Sequence, residues 1–368
     1  MPGPQDTIPP ARPVIGEAEI DAAVRVLRSG MVVQGPEVAA FEQEFSELVA
    51  GRHCVAVNSG TSALQLSLMA LGFGPGDEVI VPSFSFAASA NAVRLVGATP
   101  VFADIEPGTF NLDPDAVAAA ITPRTVAIMP VHLYGQPAAM DRIMPIARQH
   151  GLAVVEDAAQ AHAAAIDSQP VGSFGEVGCF SFYPTKNMHS LEGGMVSTAD
   201  AGLARTLRLL RNQGMEQRYQ NEIVGANMRL TDVAAAIGRV QLTQLEEWTE
   251  KRRANAAYLD KNLTGVVVPP VTPGFRHVYH QYTIRVTGDR DAFQAGLKER
   301  GIGSMVYYPT PIHRLRPYLT EAGTVGDWKL PETDRAAEEV LSLPVFPSLT
   351  QDQLDRIVEA VNDVAGRS

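Results

Sequence analysis

Residues 154–160 have the sequence Val-Val-Glu-Asp-Ala-Ala-Gln, an apolar run that ends in two acidic residues and continues into small side chains. Such a run predicts a buried strand with a functional carboxylate at its carboxyl end, because ligands bind beyond the carboxyl ends of strands in α/β sheets. Asp157 could hold the nitrogen of a heteroaromatic ring protonated there, or it could simply cap a helix. We expect Glu156 to point away and to be structural.

Short apolar runs of this kind alternate with helical patterns through the first two thirds of the chain. The predicted strands are His53–Val57, Glu78–Val81, Thr99–Phe102, Thr125–Val131, Leu152–Glu156 and Gly178–Phe182. The predicted helices include Ser62–Leu71, Asp113–Ile121 and Met140–His150. The alternation predicts βαβ units and an α/β fold with a mostly parallel central sheet.

A long helical pattern begins at Thr231-Asp232, a pair of good N-cap residues, and continues through Ala256 or beyond. The segments after it predict a smaller α/β domain: an alternating run at His280–Val286, a helix at Asp291–Arg300, the run Ser304–Tyr308 and a helix at Gln351–Val364. We therefore expect a large domain over residues 1–245, with an N-terminal arm over 1–15, and a small C-terminal domain over 246–368.

The composition argues against several classes of protein. The 368 residues carry a formal net charge of −11 and no dense Lys/Arg run, so nucleic acid is not the expected partner. No apolar run reaches the roughly 18 residues of a transmembrane helix, and no secretory signal is recognisable. Cys54 and Cys179 lack metal-ligand or disulfide spacing and are expected in the core. We expect a cytoplasmic protein with no metal and no membrane partner.

A second candidate element is Asn58-Ser59-Gly60-Thr61-Ser62, which follows a predicted strand and opens a predicted helix. Free backbone N–H groups, the helix dipole and hydroxyl groups would converge there, and together they suit a phosphate. Alone, this pattern is more often just an ordinary turn and helix cap.

A third element is the segment 181–187, Ser-Phe-Tyr-Pro-Thr-Lys-Asn, which is followed by Glu192-Gly193-Gly194. Lys186 is the only lysine between residues 1 and 250. A partly desolvated lysine has a lowered pKa and can form an imine with a carbonyl compound, although a single loop lysine can also be structural. We expect the two glycines to let the backbone pass close to a bound ring.

The three elements together are more specific than any one of them. A phosphate cup, a carboxylate and a lysine at strand ends are what a pyridoxal-phosphate site requires. Their order along the chain, with about 30 residues from the carboxylate to the lysine, resembles that of the fold-type-I aminotransferases.

Longer segments make the resemblance specific. They are Gly35-Pro36, SGTSAL at 59–64, PSFSFAASANAV at 82–93, VHLYGQP at 131–137, EDAAQAH at 156–162, FSFYPTKN at 180–187, EGG at 192–194, NMRLTDVAAAIG at 227–238, YPTPIH at 308–313 and SLPVFPSLT at 342–350. With these segments the chain resembles the DegT/DnrJ/EryC1/StrS family of pyridoxal-phosphate-dependent sugar aminotransferases over nearly its whole length.

The resemblance implies a role for each matching residue. Lys186 would form the Schiff base with pyridoxal 5'-phosphate and move the proton in catalysis, and Asp157 would pair with the ring nitrogen. The other implied cofactor contacts are Gln160 near the ring hydroxyl, Phe86 stacked on the ring, and Gly60, Thr61 and Ser181 at the phosphate. Asn227 would reach the phosphate in the partner subunit's site, which implies a homodimer with shared active sites. Phe86 and Asn227 could also be structural.

Four further residues are candidate substrate contacts. Arg229 would bind an anionic group, or it could form a structural ion pair. His189 stands where the family often has a hydroxyl residue, so it either contacts substrate or replaces that hydroxyl in a hydrogen bond. Tyr308 and His313 could line the sugar site or simply pack. We expect His162 and His280 to be structural.

The implied reaction moves an amino group from L-glutamate to a nucleotide-linked keto sugar. The Glu-Gly-Gly segment resembles enzymes that aminate C4 of a dTDP- or UDP-linked 4-keto-6-deoxyhexose, so C4 is the expected position. Amination at C3 and a keto-cyclitol substrate of the scyllo-inosose type remain open. A pyridoxamine-dependent dehydratase would be expected to have histidine at the position of Lys186. A catalytically silent regulator of the same fold would be expected to have lost Asp157, Gln160 or Lys186.

Overall fold

A computed structural model describes residues 7–319 and 328–366. Its α-helices are α1 Glu17–Ser29, α2 Pro36–Leu48, α3 Gly60–Ala70, α4 Ala88–Leu95, α5 Pro114–Ala120, α6 Met140–His150, α7 Ala201–Arg211, α8 Asp232–Asn262, α9 Arg290–Glu299, α10 Pro331–Glu339 and α11 Gln351–Ala365. Short 3₁₀ turns cover Leu133–Gly135, Ile312–Arg314 and Arg316–Tyr318.

The strands form one large sheet and three small ones. They are β1 His53–Val57, β2 Glu78–Pro82, β3 Thr99–Ala103, β4 Thr125–Ile128, β5 Ala153–Asp157, β6 Ala165–Ile166, β7 Gln169–Pro170, β8 Val177–Ser181, β9 Gly194–Thr198, β10 Met215–Gln217, β11 Gln220–Asn221, β12 Phe275–Arg276, β13 Tyr282–Arg285 and β14 Val340–Leu343. The small sheets pair β10 with β11, β6 with β7 and β12, and β13 with β14.

The large sheet has the order β1-β9-β8-β5-β4-β2-β3. Strands β3, β2, β4, β5 and β8 pair in parallel, whereas β9 runs antiparallel between β1 and β8. The predicted α/β fold with a mostly parallel sheet is therefore confirmed. The antiparallel strand β9 was not predicted, because its sequence Gly-Met-Val-Ser-Thr is short and has no clear alternation.

The sheet is buried on both faces, as parallel sheets usually are. All five residues of β2 are buried, and α3 lies against β8 and β9 with Leu64, Leu66 and Leu68 inside the core. On the other part of the sheet, α5 and α6 cover β3, β4 and β5. This packing places the start of α3 and the carboxyl ends of β5 and β8 at the same edge of the sheet.

The long helix was predicted at the observed start. Thr231 caps α8 by accepting a hydrogen bond from the Ala234 N–H. The proposed division near residue 245 lies inside this continuous helix and stays a prediction. The C-terminal half of α8 buries Ala256 and Leu259 in a second core with α9, α11, β13 and β14.

The N-terminal arm joins that second core, although the sequence grouped it with the large domain. Ile8 is fully buried there and forms a parallel bridge with Ile302; residues 1–6 of the arm lie outside the described residues.

The run Ser304–Tyr308 is not a regular strand, since only Met305 forms a bridge, to Ser342. Both cysteines are buried and free, as expected. Within residues 7–319 and 328–366, no helix has both the length and the apolar character needed to cross a membrane.

Candidate active site

A cavity of about 370 Å³ lies at the carboxyl ends of the parallel strands, where ligands of α/β folds bind. It contains eight of the twelve residues predicted for the site, namely Gly60, Thr61, Phe86, Asp157, Gln160, Ser181, Lys186 and Tyr308. Asn227, Arg229, His189 and His313 do not line it. The three sequence elements, which are more than 100 residues apart at their extremes, therefore meet in one place.

Asp157 is the last residue of β5 and lies on the wall of this cavity, only 5% exposed. Its Oδ2 accepts a hydrogen bond of 2.8 Å from the Ser89 hydroxyl, and its Oδ1 accepts one of 3.2 Å from the Ala159 N–H. Burial raises the pKa of Asp157, while these two donors and the charge of Lys186 lower it. The carboxylate is thus costly to ionise and depends on the groups that surround it.

Lys186 follows β8 and lies half-buried at the cavity wall. Desolvation lowers its pKa to about 8, and the nearby charge of Asp157 acts in the opposite direction. A lysine with such a pKa has a substantial neutral fraction near neutral pH, and the neutral amine is the nucleophilic form. Lysine and carboxylate therefore share one cavity, each in the environment that its predicted chemistry needs.

The start of α3 forms a cup at the other end of the cavity. Ser59 caps the helix by accepting from the Ser62 N–H, and the first turn leaves the N–H groups of Gly60 and Thr61 without intrahelical acceptors. Gly60 is required here, because a Cβ atom on it would lie 2.7 Å from the Cβ of Ser181. The cup combines free donors with the positive end of a helix dipole, which favours an anion.

The glycine pair at 193–194 packs against protein atoms. A Cβ on Gly194 would overlap the carbonyl oxygen of Ser59, and one on Gly193 would overlap the Ser190 hydroxyl. Gly194 thus allows β9 to pack directly against the first turn of α3, which forms the cup. The expectation that these glycines let the backbone pass close to a bound ring stays a prediction; within the chain, Gly194 permits a close approach of two backbone segments.

Gln160 and two aromatic rings form a further wall. The Gln160 Oε1 accepts from the Tyr134 N–H at 2.8 Å, and its Nε2 donates to the Tyr308 hydroxyl at 3.0 Å. Burial raises the pKa of Tyr308, so this phenol stays protonated. Phe86 lies 6.0 Å from the Tyr308 ring and is 59% exposed although it faces the cavity. An aromatic ring with so much open surface beside a cavity suits stacking on a flat ligand.

Asn227 and Arg229 lie away from the cavity of their own chain. Arg229 Nη1 donates to the Asn212 Oδ1 at 2.8 Å, and Asn227 forms a β-bridge with Asn212. Asn227 borders an open groove together with Gln213, Asn221, Ile223, Val224, Gly225 and Ala226. Within one chain these two residues therefore have structural partners, and their predicted role at a shared site stays a prediction.

His189 and His313 also have structural partners. His189 Nε2 donates to the Val14 carbonyl at 3.1 Å and so holds the N-terminal arm against the lysine loop. His313 Nδ1 lies 2.6 Å from the Ser83 hydroxyl, and its Nε2 lies 3.6 Å from an Asp334 oxygen. For both residues the geometry favours packing and anchoring over contact with substrate.

Glu156 is structural, as expected from its position beside Asp157. It is fully buried and accepts from the N–H groups of Gly172, Phe174 and Gly175 at 2.7–2.8 Å. The His132 Nε2 donates to it at 3.1 Å, because Nδ1 already accepts from the Ala138 N–H. This network fixes the end of β5 and with it the position of Asp157.

Several lining residues were not singled out from the sequence, among them Ser85, Gln281 and Tyr307. His280, which was expected to be structural, and Glu192 also border the cavity. Ser89, which is buried just behind the cavity, was also missed. Ser85 and Ser89 lie in a segment that was quoted for its family resemblance, and their spacing of four residues at a helix start was the available signal. No group of three or more His, Cys, Asp or Glu side chains suited to a metal ion occurs in the parts of the chain that the structure describes.

The fold and the lysine–carboxylate cavity define the class of α/β aminotransferases. The sequence profile of the DegT/DnrJ/EryC1/StrS aminotransferase family matches residues 13–362, so this chain belongs to that family. It is accordingly a transaminase, and the resemblance inferred from the sequence is confirmed.

Named relatives cover nearly the whole chain. A UDP-N-acetyl-3-dehydro-α-D-glucosamine 3-aminotransferase of Acidithiobacillus ferrooxidans is 45% identical over 340 residues, 92% of this chain and 91% of the relative. A dTDP-3-amino-3,4,6-trideoxy-α-D-glucose transaminase of Streptomyces venezuelae is 46% identical over 355 residues, 95% and 93% of the two chains. The crystal structure of NtdA from Bacillus subtilis with bound cofactor PMP has a TM-score of 0.89 at 33% identity, and covers 95% of this chain and 82% of that one.

The residues present fit pyridoxal phosphate. The free N–H groups at the start of α3 match a phosphate, Asp157 presents a buried carboxylate that a protonated ring nitrogen can meet, and exposed Phe86 offers a face for a flat ring. Lys186 borders the same space and has a lowered pKa. The cavity thus has a matching group for each part of this cofactor.

Proposed function

We propose that this protein uses pyridoxal 5'-phosphate to move an amino group from L-glutamate to a nucleotide-linked keto sugar. The observation that carries the proposal is the meeting of Lys186, Asp157 and the α3 cup in one cavity of about 370 Å³. When bound, the cofactor supplies a ring that stabilises negative charge on the carbon next to the transferred nitrogen. Everything else in the reaction depends on groups of the protein.

Lys186 and Asp157 divide the chemical work in this proposal. Asp157, held at the end of β5, would keep a proton on the ring nitrogen, because its carboxylate borders the cavity and its hydrogen-bond donors favour the ionised form against the effect of burial. The Lys186 Nζ would take a proton from the substrate carbon and return it to the carbon on the other side of the transferred nitrogen, a task that a pKa of about 8 suits. The same two groups serve glutamate in the first half of the reaction and the keto sugar in the second.

The other cavity residues are proposed to hold the cofactor and exclude water. Gly60, Thr61 and Ser181 would bind the phosphate, Phe86 would stack on the ring, and Gln160 would contact its hydroxyl side. Gln160 is already fixed by Tyr134 and Tyr308, so it can present its remaining hydrogen-bonding capacity without rearranging. Tyr308 is the one candidate substrate contact that borders the cavity in a single chain.

We also propose a homodimer in which each chain completes the other's site. Residues Tyr219, Ile223 and Val224 are 79%, 38% and 89% exposed in the single chain. Apolar residues clustered on a surface at this level of exposure are typical of an interface. They adjoin Asn227, so a partner that covered them would bring Asn227 of one chain to the cup of the other.

The position of amination is proposed to be C3. The names of the two relatives given above refer to a 3-dehydro and a 3-amino sugar, and the two relatives are similarly close to this chain, at 45% and 46% identity. The expectation of C4 was based on Glu192-Gly193-Gly194. In this structure both glycines pack against Ser59 and Ser190, so the pair has a structural reason that is independent of the sugar. C4 is the second candidate, since Glu192 does border the cavity.

The reverse reaction offers a practical test, because amino sugars are more stable than keto sugars. The enzyme would be given 2-oxoglutarate with a dTDP-3-amino-6-deoxyhexose, its 4-amino isomer, the UDP-linked 3-amino sugar or scyllo-inosamine, and glutamate formation would be measured. We expect a 3-amino nucleotide sugar to react fastest. A clear preference for the 4-amino isomer would restore C4, and activity with the cyclitol alone would overturn the nucleotide-sugar substrate.

A further inference from the structure

Two serine side chains form a hydrogen-bonded line that ends on Asp157. Ser89 lies on α4, is completely buried, and its Oγ is 2.8 Å from the Asp157 Oδ2. Ser85 lies one helical turn earlier on the wall of the cavity, with its Oγ 2.9 Å from the Ser89 Oγ.

The direction of the hydrogen bonds follows from the chemistry. An ionised carboxylate only accepts hydrogen bonds, so Ser89 must use its single proton on Asp157. Ser89 can then only accept from Ser85, and Ser85 must donate to it. The line therefore runs Ser85 to Ser89 to Asp157, and each hydroxyl polarises the next in the direction that stabilises negative charge on the carboxylate.

The hydroxyl of Ser89 is the stronger of the two donors that Asp157 has among the described residues. The other donor, the Ala159 N–H, lies at 3.2 Å, and it is held by the backbone whatever the side chains are. Burial works against ionisation of Asp157, and a protonated aspartic acid would lack the negative charge that keeps a ring nitrogen protonated. Loss of Ser89 would leave an almost fully buried carboxylate with a single weak donor.

We propose that Ser89 is a positioning residue that keeps Asp157 ionised and oriented toward the cofactor ring, and that Ser85 supports it from the cavity side. The inference rests on the proposed function, since it concerns the carboxylate that would meet pyridoxal phosphate. The other titratable groups that act on Asp157 or feel its charge are Lys186, His132, Tyr308 and Cys179, and the change described below leaves all four in place.

The test uses the purified holoenzyme and the variants Ser89→Ala, Ser85→Ala and Ser67→Ala. Ser67 is the matched control: it is also a completely buried helical serine, but its hydroxyl contacts the Cys179 sulfur at 3.2 Å. Two quantities are measured for each protein. The first is the dissociation constant for pyridoxal phosphate, and the second is the pH midpoint at which the imine nitrogen between Lys186 and the bound cofactor loses its proton, read from the absorption band. Thermal unfolding of the apoproteins reports separately on the fold.

We expect Ser89→Ala to weaken cofactor binding about 10-fold or more, because a hydrogen bond to a charged group is lost. The ring nitrogen would then lose its proton, and without that positive charge the pKa of the imine nitrogen, and with it the pH midpoint, should rise by about one unit. Ser85→Ala should produce a shift in the same direction but several-fold smaller, and Ser67→Ala should leave the midpoint unchanged. A Ser89→Thr variant, which keeps the hydroxyl, should restore the midpoint.

The contradicting results are specific. A wild-type midpoint in Ser89→Ala, or an equal shift in Ser67→Ala, would overturn the role of Ser89. If Ser89→Ala does not fold, the comparison of Ser85→Ala with Ser67→Ala decides, and equal midpoints would overturn the proposal. Failure of the wild-type protein itself to bind pyridoxal phosphate would instead contradict the proposed function.

Discussion

At the scale of single residues, the site combines two groups whose environments act in opposite directions. Burial favours the neutral form of both Lys186 and Asp157, but Asp157 receives hydrogen-bond donors, whereas the lysine amine has no hydrogen-bond partner within residues 7–319 and 328–366. The lysine was predictable because it is isolated in a lysine-free region of sequence. Ser89 was not, because nothing in one sequence distinguishes a serine that donates to a carboxylate from one that caps a helix.

The lysine provides the most direct residue-scale prediction. Lys186→Ala should lower the rate of transamination by at least about 10²–10⁴-fold, the range typical of a lost proton-transfer group. Its thermal unfolding should stay close to wild type, since Asp157 keeps its hydrogen bonds from Ser89 and the Ala159 N–H when the amine is removed. Steady-state assays of glutamate-dependent transfer measure the effect. Lys251→Ala is the matched control, because Lys251 lies exposed on α8. An active Lys186→Ala protein would contradict the assignment.

At the scale of elements, most of the architecture follows from patterns in the sequence. The strands β1 to β5 and β8 and the helices α3, α6 and α8 occur where the apolar runs and caps predicted them, with shifts of a few residues at their ends. The strand β9 could not be predicted from its own five residues. It is held by pairing on both sides and by Gly194, whose lack of a side chain permits contact with Ser59. Such tertiary causes leave little trace in local sequence.

The cup provides an element-scale prediction. Gly194→Ala should weaken pyridoxal-phosphate binding by about 10-fold or more, because the new methyl group overlaps the Ser59 carbonyl and displaces the first turn of α3. Equilibrium dialysis of the cofactor measures the effect.

Gly74→Ala is the control for this change. Its Cβ atom would have its nearest contact at an ordinary 3.6 Å, to the Val96 carbonyl, so both stability and cofactor affinity should be retained. Normal cofactor affinity in a folded Gly194→Ala protein would show that β9 does not support the cup.

At the scale of the whole molecule, α8 packs Ala234 and Leu245 into the core around α2 and β1 and Ala256 and Leu259 into the core around α9 and α11, and the predicted site is only partly complete in one chain. Asn227 and Arg229 have their partners at Asn212 and lie outside the cavity. The family resemblance identified these residues, but a single sequence carries no direct record of which contacts cross between chains. His189 and His313 lie outside the cavity and have partners within the protein, His189 at the Val14 carbonyl and His313 at the Ser83 hydroxyl, so their role at the substrate stays a prediction.

The proposed dimer gives the prediction at this scale. Val224→Asp should convert the protein to monomers and lower its activity by about 10-fold or more, because burying a carboxylate against an apolar surface without a partner is costly. The fold should survive, since Val224 is 89% exposed in the single chain. Size-exclusion chromatography with light scattering measures the oligomeric state. Val271→Asp, at a site 41% exposed in the loop before β12, should remain dimeric. A dimeric, fully active Val224→Asp protein would contradict the interface.

The central claim, a pyridoxal-phosphate aminotransferase acting on nucleotide sugars, is tested most directly by absorption spectroscopy of the purified protein. We expect a band from the bound cofactor that L-glutamate discharges and that a nucleotide-linked keto sugar then restores. A band that glutamate discharges and no nucleotide sugar restores would keep the aminotransferase and overturn the substrate class. No band after incubation with pyridoxal phosphate would contradict the account at its centre.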